Sequence, residues 1–140
     1  MILTLGLLLA ATAVPDAEIA AATKAITPEV VALRRDLHAH PELSNREERT
    51  GRLVAERLRA LGLEVRHPVA KTGVVGVLRG GGPGGVVALR ADIDALPIQE
   101  AGDAPYKSQV PGVMHACGHD AHTAMLIGAA EVLAGLKDRL

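Results

Sequence analysis

The chain has 140 residues, enough for one domain with a core of its own. Its 15 lysines and arginines nearly balance 16 aspartates and glutamates, which excludes a basic face for nucleic acid and an acidic, solvent-swollen tail. With no tryptophan or phenylalanine, a single tyrosine and a single cysteine, base stacking and an internal disulfide are excluded as well.

The chain opens on MILTLGLLLAATAV, an apolar run of about a dozen residues that suits the core of a signal peptide and falls short of the ~20 needed to span a bilayer. Ala11-Thr12-Ala13 supplies a small-x-small cleavage site, although no Lys or Arg precedes the run. The expectation is a secreted or periplasmic protein with no stable membrane anchor. A buried helix or a start codon set too far upstream, in a cytoplasmic protein, is the alternative. Residues 1–24 are read as this signal and an alanine-rich lead-in, and residues 25–140 as the structured part.

Thr27-Pro28 predicts a helix start, with Thr27 as N-cap and Pro28 at the first helical position. Val30, Leu33 and Leu37 recur at helical spacing, and Pro41 ends the helix after His38-Ala39-His40. Ser44-Asn45-Arg46-Glu47 reads as a capping box for a second helix, with Leu53, Val54, Leu58 and Leu61 as its apolar stripe and Gly62 as its stop. Two strands are predicted over 63–69 and 74–78, and GGGPGG (80–85) is a loop. Val86-Val87-Ala88-Leu89 reads as a third strand, buried on both faces. After a polar loop over 99–112 comes a third helix, capped by Asp120, with Leu126, Ala129, Ala130, Leu133 and Leu136 toward the core. Two helices, three strands and a helix predict an α/β or α+β layer domain.

Chemistry concentrates in two stretches. In LRADIDALP, Asp92 and Asp94 stand two apart at the end of the predicted buried strand, where functional groups of α/β sheets collect. One could bind a metal or orient a ligand; equally, one could cap the next turn and the other face water. In VMHACGHDAHTA, Cys117 and His119 flank Gly118, so both side chains can reach one ion from a turning backbone. Thiolate and imidazole are a donor pair that zinc accepts. His115 and His122 add further nitrogens. A lone buried cysteine and a helix-start histidine are the plain structural reading, set against the cost of burying several polar rings without a task. A thiolate nucleophile at Cys117, activated by a neighbouring histidine, would perform acyl transfer instead. A non-enzymatic metal-binding module would need several histidines around the one cysteine.

RRDLHAHPELSNRE (34–47), GVVGVLRG, VVALRADIDALPIQE and PGVMHACGHDAHTAMLIGAA together resemble the metal-dependent amidohydrolases of the hippurate hydrolase, N-acyl-amino-acid aminoacylase and auxin-conjugate hydrolase type. These sit within the zinc-peptidase-like exopeptidases. The resemblance runs from about Val30 onward. It implies the N-terminal part of a three-layer catalytic domain, a mixed sheet with flanking helices. It implies hydrolysis of the amide in N-acyl amino acids or related small-molecule conjugates, with two divalent ions, manganese or zinc, per full-length subunit. Cys117 and His119 match metal ligands, the thiolate as a bridge between the ions. Asp94 matches an aspartate that orients a metal-bound histidine; Asp92 and His122 match positions near the site; His38, Pro41 and Glu42 match a structural motif. The family carries a glutamate pair, general base and ligand, downstream of CGHD, where this sequence runs only to Leu140. The lid or dimerisation domain that would make a homodimer of the full-length protein is likewise not matched. The expectation is therefore an N-terminal fragment, inactive alone, whose general base lies beyond Leu140.

Overall fold

The computed structural model describes residues 13–140; nearly all of the expected signal, residues 1 to about 13, lies outside the described residues. The elements run α1 (Asp16–Ala39), α2 (Glu48–Ala60), β1 (Glu64–Val69), β2 (Gly73–Val77) and α3 (His119–Gly135), with a last 3-10 turn at Lys137–Arg139. No described helix is long and apolar enough to cross a membrane.

Helix α1 begins a full three turns before the expected start. Pro15 stands at its N-cap, and Asp16 and Glu18 fill the first turn, where acidic side chains favour the exposed amides. The alanine-rich lead-in has high intrinsic helicity and continues through position 25 without a break. Thr27 is therefore not a cap: its hydroxyl donates to the Thr23 carbonyl at 2.8 Å, and Pro28 sits inside the helix. The end of the helix is where Pro41 places it, at Ala39.

The cap of α2 also differs from expectation. Neither Ser44 nor Glu47 caps it through a side chain. Glu42, from the turn after α1, accepts from the Arg49 amide at 2.9 Å and the Thr50 amide at 2.7 Å. One carboxylate thus satisfies two of the orphan amides and sits against the positive end of the helix. Glu47, buried, instead accepts from the Thr72 hydroxyl at 2.6 Å, which ties the helix to the β1–β2 turn. Gly62, at φ +82, stops α2 as expected.

β1 and β2 form an antiparallel hairpin, pairing Glu64 with Val77 and Arg66 with Val75. It lies so close to α2 that a Cβ on Gly51 would stand 2.5 Å from the Thr72 carbonyl oxygen. The expected third strand is not formed. Residues 86–89 belong to no strand among the described residues, and Val86 is 99% exposed. An apolar run becomes a buried strand only when neighbours supply both ladder partners and two covering faces. Residues 13–140 supply none for it.

The core lies between α1 and α3, where Leu33, Leu37, Ala124 and Ile127 pack with Val30, Leu53 and Val54. Burying Leu37 alone contributes about 1.5–3 kcal/mol. Gly128 allows the close approach, since a Cβ there would meet Val30 Cγ2 at 2.7 Å. The buried face of α3 is Thr123, Ala124, Ile127 and Gly128, not the expected Leu126, Ala129, Ala130, Leu133 and Leu136, which are half-buried. That helix is apolar on nearly every side, so its sequence does not single out a face.

Glu42→Ala leaves the α2 amides uncapped and is expected to lower stability by about 1–2 kcal/mol. Urea denaturation checks it; no change in midpoint would show the cap to be idle.

Candidate metal centre

The segment carrying Asp94 is stitched in from both sides. The Ala95 amide donates to the Glu42 carbonyl at 2.8 Å, and Leu96 exchanges two backbone hydrogen bonds with Met114, each 3.0 Å. The second tie brings Leu96 beside the turn that enters the CGH stretch. Gly118, at φ +81, is the N-cap of α3 and makes that turn, a conformation a side chain would strain. His119 therefore opens the helix. Asp120, the expected cap, lies within the first turn.

The predicted site residues fall into two groups. Asp94 and His119 are brought together: the Asp94 carboxylate lies 2.8 Å from His119 Nδ1, and the Asp94 carbonyl 3.1 Å from the same nitrogen. With two acceptors on Nδ1, that nitrogen carries the hydrogen and Nε2 keeps its lone pair. His122 stands beside it, ring centroids 5.5 Å apart, on the exposed side. Cys117 is an exposed free thiol, and no hydrogen bond links it to a histidine among the described residues. Asp92 makes a separate contact, accepting from Arg90 at 2.6 Å on the surface. Only its carbonyl touches the site helix, accepting from the buried Thr123 hydroxyl at 3.1 Å.

No three Cys, His, Asp or Glu side chains among the described residues converge closely enough to hold an ion. Cys117 and His119 suit a metal as part of a donor set: a thiol open to solvent and an imidazole whose unengaged nitrogen is fixed by the bond to its other one. The buried glutamates are occupied elsewhere. Glu47 bonds Thr72, and Glu100 accepts from the Ser108 amide at 2.7 Å.

Behind the turn lies a buried polar cluster that the sequence reading leaves incomplete. His38 Nδ1 donates to Asp120 Oδ2 at 2.6 Å, and its Nε2 lies 3.2 Å from Glu100 Oε1. Arg34 Nε reaches the same Asp120 oxygen at 2.9 Å. Tyr106 packs edge-on against His38 and lies under the guanidinium groups of Arg34 and Arg35. His38 is recognisable from its motif, and Asp120 from its place after His119. Glu100 and Arg34 carry no local signal, because their roles depend on contacts across 62 residues and more.

The Ser108 amide, with His38 and Lys107 adding to it, holds the Glu100 carboxyl below the usual carboxylate range against the opposing effect of burial. His115 is 4% exposed, and neither ring nitrogen finds a side-chain or backbone partner among the described residues. Burial pushes it below the usual histidine value, with the Asp120 charge opposing and those of His38 and His119 reinforcing.

A depressed histidine has a definite sign in stability. Below its ordinary value near ~6.5 the unfolded chain takes up a proton that the folded chain refuses, so stability falls with falling pH. Folding stability is therefore expected to drop between about pH 7 and 5, and His115→Leu to flatten that limb. Urea midpoints at each pH test it; an unchanged slope in the variant would remove His115 as its origin.

Residues 88–140 match Peptidase family M20/M25/M40. Thermostable carboxypeptidase 2 of Saccharolobus solfataricus is 54% identical over 116 residues, 82% of this chain and 30% of its own length. The N-acyl-L-amino acid amidohydrolase of Geobacillus stearothermophilus is 54% identical over 114 residues, 81% of this chain and 30% of its own. IAA-amino acid hydrolase ILR1-like 5 of Arabidopsis thaliana is 50% identical over 111 residues, covering 79% of this chain and 25% of its own. Among solved structures, the Bacillus subtilis YXEP protein, a dinuclear metal binding peptidase from the M20 family, superposes with a TM-score of 0.78 at 46% identity. That match covers 82% of this chain and 32% of the other. The α/β fold is thus shared, and the chain spans about 30% of the length of the relatives it matches. Over residues 88–140 the sequence matches peptidase family M20/M25/M40, and the fold of most of the chain is similar to that of an M20 peptidase.

Proposed function

We propose that residues 25–140 are the N-terminal portion of a metal-dependent amidohydrolase domain, acting in the whole protein on N-acyl amino acids or related conjugates. The observation that carries this is the Asp94–His119 pair beside Cys117, 2.8 Å from carboxylate to Nδ1. Cys117 and His119 would hold the metal, with Asp94 engaging Nδ1 of His119 and leaving Nε2 as the nitrogen available to a ligand. A divalent ion held there, zinc or manganese, would supply Lewis-acid polarisation of an amide carbonyl and acidify a water. His122 and Asp92 stand near the site without an assigned bond to the metal.

The proton acceptor for that water has no candidate among the buried glutamates described here, since Glu47 and Glu100 are tied to the frame. Glu42 is likewise held by two amides of α2. The general base and the remaining ligands are accordingly assigned to sequence outside residues 13–140, and this chain alone is expected to show no amidohydrolase activity. The thiol-nucleophile reading lacks the hydrogen bond between Cys117 and a histidine that activation requires.

Zinc should protect Cys117 from iodoacetamide, and a chelator should reverse the protection. Asp94→Ala should raise the zinc needed by roughly 10–100-fold, and His119→Ala should abolish protection. Alkylation at the same rate with and without zinc would sink the metal assignment of Cys117 in this chain.

Export is the second part of the proposal: residues 1 to about 13 act as the signal. Mass spectrometry of the native product should find a start near Val14, and an intact Met1 on a cytoplasmic product would refute it.

A further inference from the structure

We propose that His38 is a positioning residue for the Cys117–His119 turn, acting through Asp120, and that its two ring nitrogens serve separate segments. Nδ1 holds the first turn of α3 through Asp120 Oδ2 at 2.6 Å. Nε2 holds the 99–108 loop through Glu100 Oε1 at 3.2 Å, and the other oxygen of that carboxylate accepts from the Ser108 amide at 2.7 Å. The part that concerns metal rests on the assignment of Cys117 and His119 above.

Three features single out this arrangement. Asp120 has no exposed surface, so its carboxylate has to be satisfied by protein. Asp120 Oδ1 has no hydrogen-bond partner among the described residues, so the anchoring passes through Oδ2 alone, which takes both His38 and Arg34. Asp120 directly follows His119, and the helix it opens has no side-chain cap. The first turn of α3 is thereby fixed to α1 at the point where the family's metal-ligand motif meets the helix. His119 is held from the opposite direction by Asp94, on a segment tied to Glu42 and Met114. A shift of Asp120 would move His119 relative to Asp94, and the imidazole would lose its aim.

Two near-isosteric variants separate the arms. Asn at position 38 places an amide nitrogen near the site of Nδ1, and Gln places one near the site of Nε2. Amide hydrogen exchange of the metal-free chain then reads each arm directly. His38→Asn should leave the Ala121 and His122 amides within about twofold of wild type and speed exchange at Ser108 about tenfold. His38→Gln should do the reverse. Arg34→Gln, a substitution at a partly exposed position, should speed the Ala121 and His122 amides and spare Ser108. Hairpin amides such as Arg66 and Val75 report global stability. If both His38 variants moved the turn, the loop and the hairpin in parallel, or moved nothing, the proposal would be overturned.

The second readout is the zinc needed to protect Cys117 from iodoacetamide. It should rise about tenfold in His38→Gln and stay near wild type in His38→Asn. Equal zinc demand in the two variants, with wild type protected, would overturn the positioning role. A wild-type chain that zinc never protects, yet whose exchange pattern is as described, would remove the metal assignment and leave the two-armed anchoring supported.

Discussion

A carboxylate with no exposed surface must find its partners inside the protein, and Asp120 finds them on α1. The cost of leaving such a charge unpaired is several kcal/mol, far more than the worth of most contacts in a domain of this size. α3 therefore cannot slide or rotate on α1 without breaking the bonds to His38 and Arg34. The apolar contacts of Leu33, Leu37, Ala124 and Ile127 supply driving force for that packing but little register, because the exposed and buried sides of α3 are similarly apolar. Polar pairing supplies the register.

The acidic residues of the motif region divide between frame and chemistry. Glu42 caps a helix, Glu47 ties that helix to a hairpin, Glu100 gathers a loop around the Ser108 amide, and Asp94 faces a histidine. Each has donors matched to its position, so none is an uncommitted base. Asp92, like Asp36, lies toward the surface with an arginine for company. The chemistry available to residues 13–140 is consequently that of donors held ready, with Cys117 exposed and His119 fixed through one nitrogen.

Val86 to Leu89 show the converse constraint. Their composition is that of an interior strand, yet they join no sheet among the described residues. Without hydrogen-bonding neighbours their amides and side chains face solvent, with Val87 as well as Val86 largely exposed. Strand propensity describes fitness for a pleated, covered surface, and it does not create one.

The sequence by itself determined the helices' existence, the stop at Pro41, the turn at Gly62, the two strands and the family resemblance, because each is written in neighbouring residues: a missing amide hydrogen, a tolerated positive φ, alternating apolar positions, a dense ligand motif. It misjudged where α1 begins, which side chain caps α2, what Asp120 does and which face of α3 is buried. Those depend on partners far along the chain. Glu42 displaced Ser44 as the cap because the turn after α1 delivers a carboxylate to two free amides. Asp120 left the capping position because His38, 82 residues away, offered a buried donor. Asp94 and Asp92, alike in sequence, parted because only one lies against His119 once the Glu42 and Met114 backbones hold the segment between them. Local rules set what each residue can do; the tertiary structure decided which partner it met, since a buried polar group takes whatever satisfies it in the packed state.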